Sequence, residues 1–388
     1  MIMANNNNKD KCNVPNLRFP EFSGEWEMSS IGEQFELYSG NTPSRMNKNQ
    51  FDGSINWITS GELKEHYISD TKEKISEEAA KNNSLKLLPV GTFVIAIYGL
   101  EANGVRGTCS ITTRESTISQ ACMAFTSKMD IQNEFLYSWY KKHGNIIGIK
   151  YAQGTKQQNL SYDIIERFNI SYPCMEEQKK LIRFISLIDQ RIATQNKIIE
   201  DLKKLKSAIS ERLFNAIKGD VVVLEDIGDV VKGKQINGEF LSESGKYYVM
   251  NGGIEPSGFY NDYNVEANTI SISEGGNSCG YVQFNACPFW SGGHCYTIQN
   301  TTDNVKTEYL YQFLKSKESE IMKLRIGSGL PNIQKKDLAK FKITIPNISE
   351  QKVISAFLSS FERKADVEMN FVNLLLEEKQ YLLRQMFI

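Results

Sequence analysis

The sequence predicts an α+β protein in which two mixed α/β domains are separated by two long antiparallel coiled-coil helices, forming a pseudo-two-fold repeat. Three observations predict this fold: an internal repeat, an apolar seam in each repeated segment, and strand-like blocks between the repeats. Residues 154–214 match residues 327–387 without a gap, at a shift of 173 (327 − 154). A repeat of about half the chain indicates two copies of one large unit rather than a solenoid.

The first element, residues 1–23, is predicted to be a flexible N-terminal tail. It opens with Met1–Ala4, four asparagines and the charged run Lys9–Lys11, so it lacks the apolar stretch of a signal peptide. The most apolar run of the chain, Leu87–Tyr98, is too short and too broken to span a bilayer. We therefore expect a cytoplasmic protein with no membrane partner.

The two domains, residues 24–168 and 219–341, are predicted to be mixtures of strand and loop. Leu85–Tyr98 is typical of a turn and a buried strand, and Thr269–Ser273 alternates like a half-buried strand. Glycine pairs, as in Glu274–Asn277, indicate tight turns. Beyond similar opening segments, the two blocks show little likeness, which indicates that they bind different things.

The repeated segments, residues 169–218 and 342–388, are predicted to be the two helical regions. Apolar residues recur in steps of three, four or seven, as expected for a coiled-coil seam. A helix from Glu176 to Ile217, about 42 residues, is about 60 Å long and cannot bury such a seam alone, so the other helix is the simplest partner. The alternative is that each helix packs only on its own domain. The predicted core of the helix pair consists of Leu181, Ile185, Ile188, Ile192, Ile199, Leu202, Ile354, Leu358, Phe361, Val372 and Leu375.

No catalytic constellation is evident in the 388 residues, and the net charge of −1 argues against a strongly basic nucleic-acid binder. Gly228–Lys234 fits the spacing of a phosphate loop but lacks the following Ser or Thr that would bind magnesium. The seven cysteines form no CxxC pair, and the adjacent His294 and Cys295 make a poor zinc chelate with Cys279 and Cys287. Buried, reduced thiols are the simpler prediction.

A set of short motifs carries a family resemblance over nearly the whole length. The motifs are LRFPEF at 17–22, GNTPS at 40–44, WITSGEL at 57–63, LPVGT at 88–92, SQA at 119–121, NGGIEPSG at 251–258, ISEGGN at 272–277, and a P-x-x-x-E-Q entry to each helical region. In this order they resemble the specificity subunit of type I restriction–modification systems. Ser119 departs from the asparagine that relatives often carry there.

The resemblance implies a non-catalytic recognition subunit. Its two target-recognition domains would each read one half of a bipartite, asymmetric site in double-stranded DNA. The helices would set the spacing between the half-sites and dock two modification (methyltransferase) subunits, and restriction (motor-nuclease) subunits would complete the complex. No cofactor is expected in this chain, whereas S-adenosylmethionine, ATP and Mg would belong to the partner subunits.

Candidate DNA-binding residues are side chains of the types that contact phosphates and bases. In the first domain they are Arg45, Lys48, Asn103, Arg106, Arg114 and Gln120, and in the second Lys232, Lys234, Gln235, Lys246 and Asn277. The duller alternative for any of them is a solvated loop charge. Two other functions stay open: a DNA-modifying enzyme with fused recognition domains, and a coiled-coil scaffold without a DNA role.

Overall fold

The computed structural model describes residues 13–99, 107–152, 158–327, 329 and 331–388. The contacts divide the chain into two compact units. The first contains the residues up to Thr194 together with Val372–Ile388, and the second contains Gln195–Phe371. Each of the two longest helices contributes one part to each unit.

The first unit combines short strands with one long domain helix. Its strands are β1 Glu27–Ser30, β2 Phe35–Ser39, β3 Ile55–Ile58, β4 Tyr67–Ile68, β5 Lys74–Ile75, β6 Phe93–Ala96, β7 Tyr98–Gly99, β8 Cys109–Thr112, β9 Ser116–Ile118, β10 Cys122–Ser127, β11 Gln158–Asn159 and β12 Asn169–Tyr172. Its helices are α1 Ile31–Gln34, α2 Glu77–Asn82, α3 Asn133–Tyr151, α4 Tyr162–Glu166 and the start of α5 Met175–Ala216. The main sheet has the order β2-β10-β6-β8-β4, and a smaller sheet has the order β5-β3-β9.

The second unit repeats this arrangement with fewer residues. Its strands are β13 Asp220–Val223, β14 Asp229–Lys232, β15 Tyr247–Met250, β16 Phe259–Tyr260, β17 Thr269–Ser273, β18 Val282–Asn285, β19 Trp290–Ser291, β20 Cys295–Gln299 and β21 Lys342–Ile345. Its helices are α6 Leu224–Ile227, α7 Thr307–Ser316, α8 Glu318–Met322, α9 Lys335–Ala339 and most of α10 Ile348–Met386. The sheets have the orders β14-β20-β17-β18 and β16-β15-β19.

The two domains share one strand topology, although their sequences show little likeness. The order β2-β10-β6-β8 in the first unit matches β14-β20-β17-β18 in the second. In both units the three-stranded sheet contains one parallel pair, β3 with β9 and β15 with β19. A buried strand requires apolar residues of about the right size rather than particular ones, so the repeat persists in structure after sequence likeness is lost.

Strand β17 is more deeply buried than its alternating sequence predicts. All five residues of Thr269–Ser273 are buried, so the prediction of a half-buried strand is wrong. The hydroxyl-bearing side chains are tolerated inside because they have partners: Asn285 Nδ2 donates to Ser271 Oγ at 3.0 Å, and Ser273 Oγ donates to the carbonyl of Gly252 at 2.6 Å.

Part of the predicted flexible tail is attached to the protein. Residues 1–12 lie outside the described residues, but residues 13–24, here called the N-terminal strap, contact α5 and the end of α10. The backbone N–H of Leu17 donates to the carbonyl of Gln385 at 2.9 Å. Arg18 donates to both carboxylate oxygens of Glu177, at 2.8 and 2.7 Å. The tail prediction rested on the polar first residues and is wrong for residues 13–23, which contain the apolar side chains that pack.

The long helices pair in antiparallel fashion within each unit. In the first unit, Leu181 and Ile185 share a core cluster with Leu382 and Phe387. In the second, Phe214 near the end of α5 shares a cluster with Leu358 near the start of α10. The helices therefore pack on each other as well as on their own domains. Every member of the predicted helix-pair core is buried or half-buried.

Candidate nucleic-acid interface

Four loops of the second unit meet at the ends of β14, β15, β17 and β19. We call residues 232–235, 251–253, 274–277 and 291–294 the loop face of this unit. The N–H of Lys234 donates to the carbonyl of Ser291, and that of Glu274 to the carbonyl of His294. A Cβ at Gly233 would overlap the carbonyl oxygen of Gly292, so the loops approach closely only because glycine stands there.

Glu274 is the electrostatic centre of the loop face. Its side chain is only 10% exposed, and it accepts a hydrogen bond from Lys232 Nζ at 2.6 Å. The hydroxyl of Tyr296 donates to the same carboxylate at 3.1 Å, and His294 Nδ1 lies 3.7 Å from it. Burial and the charge of Glu274 raise the pKa of the Tyr296 hydroxyl, so it stays a hydrogen-bond donor. The carboxylate thus fixes the position of an exposed lysine on the face.

Half-exposed aromatic rings lie beside the loop face. The indole Nε1–H of Trp290 donates to the carbonyl of Lys234 at 2.9 Å, and the Trp290 ring contacts Tyr260 edge-on at 5.2 Å. Lys246, just before β15, places its ammonium 5.1 Å from the centroid of the Tyr247 ring. Cations adjacent to aromatic rings are a common feature of nucleic-acid-binding surfaces.

The predicted DNA-binding residues of the second domain largely converge. Lys232, Lys234, Gln235 and Asn277 are all exposed members of the loop face. Lys246 is exposed as well but lies outside the four loops.

The first unit has a corresponding loop face, formed by the loops after β2, β3 and β9. Gly40 approaches the carbonyl of Ile118 as Gly233 approaches Gly292, and the N–H of Asn41 donates to Ile118 at 3.2 Å. Asn41 is therefore the counterpart of Lys234. Gln120 follows β9 and is exposed. Arg114 precedes β9, so the strand separates it from Gln120.

The guanidinium of Arg45 is paired with a carboxylate of the first unit. Arg45 donates to both carboxylate oxygens of Glu73 at 2.7 and 2.9 Å, and its guanidinium lies 5.2 Å from the Phe51 ring centroid and 5.8 Å from that of Trp57. The hydrogen bonds from Arg45 hold the pKa of the Glu73 carboxyl below its usual value. Lys48, three residues further along the chain, is exposed. Asn103 and Arg106 lie outside the described residues.

Comparison with known proteins matches the chain to the type I restriction modification DNA specificity domain, twice, over residues 23–204 and 218–375. The chain belongs to this family. It is 26% identical to the type I restriction enzyme MjaIX specificity subunit of Methanocaldococcus jannaschii, over 83% of each chain. It is 22% identical to the MjaVIII specificity subunit of the same organism, over 91% of this chain and 89% of the relative. In fold it is similar to a type I restriction–modification S subunit from M. genitalium, with a TM-score of 0.60, 18% identity, and 97% and 99% of the two chains covered.

The chain is thus a type I specificity subunit, the non-catalytic component of such a system, and each loop face belongs to one copy of the specificity domain. Sequence reasoning missed three residues of these faces in the specificity subunit: Asn41, Glu274 and His294. Aligning Gly40 with Gly233 would have indicated Asn41. Nothing in the local sequence distinguishes Glu274, because its role depends on Lys232 and Tyr296, which are distant along the chain.

The remaining chemical motifs of the specificity subunit have structural roles. Gly228–Lys234 contains strand β14, which pairs with β20, so it does not form a phosphate loop. Among the described residues, no group of three or more His, Cys, Asp or Glu side chains could hold a metal ion. Burial raises the pKa of the Cys295 thiol to about 11, which keeps it protonated at neutral pH. Within the described ranges, no helix has the length and apolarity to cross a membrane.

Proposed function

We propose that each specificity domain reads one half of a bipartite, asymmetric site in double-stranded DNA through its loop face. The observation that carries this proposal is that one strand topology presents two different sets of loop residues. The second loop face presents Lys232, Lys234, Gln235 and Asn277, whereas the first presents Asn41 and Gln120 and neither lysine. Lysine suits phosphate and guanine, and asparagine and glutamine suit adenine, so the two faces favour different half-sites.

The helix pair would serve the assembly rather than the base readout. We expect α5 and α10 to fix the spacing between half-sites and to dock two modification (methyltransferase) subunits, with restriction subunits joining the complex. S-adenosylmethionine, ATP and Mg would then be bound by these partners, and the complex would act in the cytoplasm.

Methylome sequencing of cells with and without the gene tests the proposal directly. One bipartite motif should lose its methylation when the gene is deleted. The purified chain alone should transfer no methyl group from S-adenosylmethionine to DNA. Methyl transfer by the chain alone would favour a DNA-modifying enzyme, and an unchanged methylome would favour a scaffold.

The spacing role has its own test. Four residues inserted after Asn196 and after Met369, which are counterparts in the repeat (196 + 173 = 369), lengthen each helix by about 6 Å. At about 3.4 Å per base pair, the unread spacer should grow by nearly two base pairs while both half-sites stay the same. The exposed substitution Lys204→Ala on the same helix keeps its length and should leave the methylated motif unchanged. Altered half-sites with the original spacing would contradict the spacing role.

A further inference from the structure

The N-terminal strap fills a groove between the two long helices in the first unit. Leu17 and Phe19 pack against the core cluster there, and the ring of Phe19 meets that of Phe184 edge-on at 5.8 Å. Arg18 lies between them and forms its two hydrogen bonds with Glu177. Three consecutive residues thus supply an apolar side chain, a guanidinium and an aromatic ring to one groove.

The second unit has a corresponding groove without a strap. At the repeat shift of 173, Glu350 is the counterpart of Glu177 and Phe357 is the counterpart of Phe184. The second groove has a volume of about 500 Å³ and is lined by apolar side chains together with Ser349 and Glu350. The main apolar lining residues are Leu213, Ile217, Val353 and Ile354.

Burial differs between the two grooves as expected if only one is covered. Glu177 is 0% exposed under Arg18, whereas Glu350 is exposed. Leu181 is 2% exposed, but its counterpart Ile354 is only half-buried. Phe357 is 47% exposed and Val353 68%, although both project from a helix whose other face is in the core. An exposed apolar groove of this kind is typical of an interaction surface.

We propose that this groove binds a segment of a partner polypeptide that carries an apolar residue, an arginine and an aromatic residue in succession. The negative charge of Glu350 suits the arginine. Asn347 Nδ2 donates to Glu350 Oε2 at 3.0 Å, and within the described part of the chain no side chain donates to its Oε1. Val353 in the groove suits the apolar side chain. Phe357, one helical turn beyond Val353, suits the aromatic side chain because it is the counterpart of Phe184, which meets Phe19. A second copy of the chain is a poorer occupant, since its own strap is already held by its Glu177.

A synthetic peptide with the strap sequence, residues 13–24, provides the probe. A fluorescently labelled peptide should bind the full-length protein saturably, and no DNA or other subunit is needed. Val353→Asp and Glu350→Lys should each weaken binding about tenfold or more, the effect of losing one apolar contact or reversing one charge in a small interface. Both residues are exposed, so the variants should fold normally, as circular dichroism would verify.

Two controls make the test specific. Asp366→Asn, an exposed change further along α10, should leave peptide affinity unchanged. A peptide with Arg18→Glu should bind wild-type protein weakly and recover affinity for the Glu350→Lys variant. Absence of saturable binding, or equal binding to all three variants, would overturn the proposal. Concentration-dependent dimerisation that Val353→Asp abolishes would assign the groove to a second copy and overturn the partner assignment.

Discussion

The ion pair between the strap and α5 should be a major source of stability for the first unit. The carboxylate of Glu177 is fully buried, and Arg18, whose side chain is 13% exposed, is hydrogen-bonded to both of its oxygens. Arg18→Met keeps an unbranched apolar stem but removes the guanidinium, which leaves a buried carboxylate without its cation. Removing one partner of a buried pair costs about 3 kcal/mol, because the remaining charge cannot return to water.

Thermal unfolding monitored by circular dichroism measures this loss of stability. In a unit of about 200 residues, 1 kcal/mol corresponds to roughly 2–4 °C, so Arg18→Met should lower the Tm of the first unit by roughly 6–12 °C. The strap should also become more susceptible to proteolysis, since Leu17 and Phe19 lose the residue that fixes the segment between them. The double variant Arg18→Met/Glu177→Leu should recover part of the loss, because no charge stays buried.

The repeat offers a matched control in Glu350→Gln. Glu350 is the counterpart of Glu177 but is exposed, so this substitution should cost less than about 1 kcal/mol, mainly through its hydrogen bonds with Asn347. If Arg18→Met lowered the Tm no more than Glu350→Gln does, the strap would not be held by its ion pair.

Two further predictions concern the loop face and pH. Lys232→Met should weaken binding of the assembled complex to double-stranded DNA and reduce the slope of log affinity against log salt by about 0.9, the value for one phosphate contact, whereas Lys340→Met outside the loop face should not. Burial lowers the pKa of His143 to about 4, although its hydrogen bond to the Ile388 carbonyl opposes the shift. Between pH 6.5 and 4 the unfolded chain therefore binds the proton that folded His143 excludes, so the free energy of unfolding should fall by about 3 kcal/mol as pH falls through this window. In the His143→Asn variant this pH dependence should be absent when the free energy of unfolding is measured by urea denaturation at several pH values. Equal slopes of that free energy against pH for the variant and the wild type would contradict the assignment to His143.

The helical half of the fold was predictable because its signal is local and repeated. The steps of the apolar seam identified α5 and α10, and Pro173 and Pro346 marked where each helix could begin. The predicted helical regions 169–218 and 342–388 began too early, because each starts with a strand, β12 or β21. A helix periodicity is visible in one stretch of sequence, and the second copy provided an independent observation of the same pattern.

The domains were less predictable because their defining contacts join distant residues. The shared strand order was not detected, since the buried strands of the two copies need only similar hydrophobicity. Arg45 was chosen for its residue type, but Glu73, 28 residues further along, engages its guanidinium. Glu274 was not chosen because a glutamate before two glycines resembles an ordinary turn, and only the folded chain brings Lys232 and Tyr296 to it.

The polar residues that interrupt the apolar seam pair across the two helices. Lys379 contacts Asp189 at 2.5 Å in the first unit, and Lys206 contacts Glu362 at 2.7 Å in the second. These ion pairs are repeat counterparts, because 189 + 173 = 362 and 206 + 173 = 379. Each pair is partly buried, and a slip of either helix by one turn would separate the charges. The interruptions therefore specify the antiparallel register that the apolar residues alone would leave open.

The contact between Gln195 and Glu368 shows why the repeat had to diverge at one position. These residues are also counterparts, since 195 + 173 = 368, yet here a residue faces its own counterpart in the buried seam. A glutamate in both copies would bury two like charges against each other, which costs far more than an exposed repulsion. A glutamine in one copy supplies the N–H that the carboxylate of the other accepts. The same requirement does not arise for Lys206 or Lys379, because each faces an acidic residue, and both copies have kept the lysine.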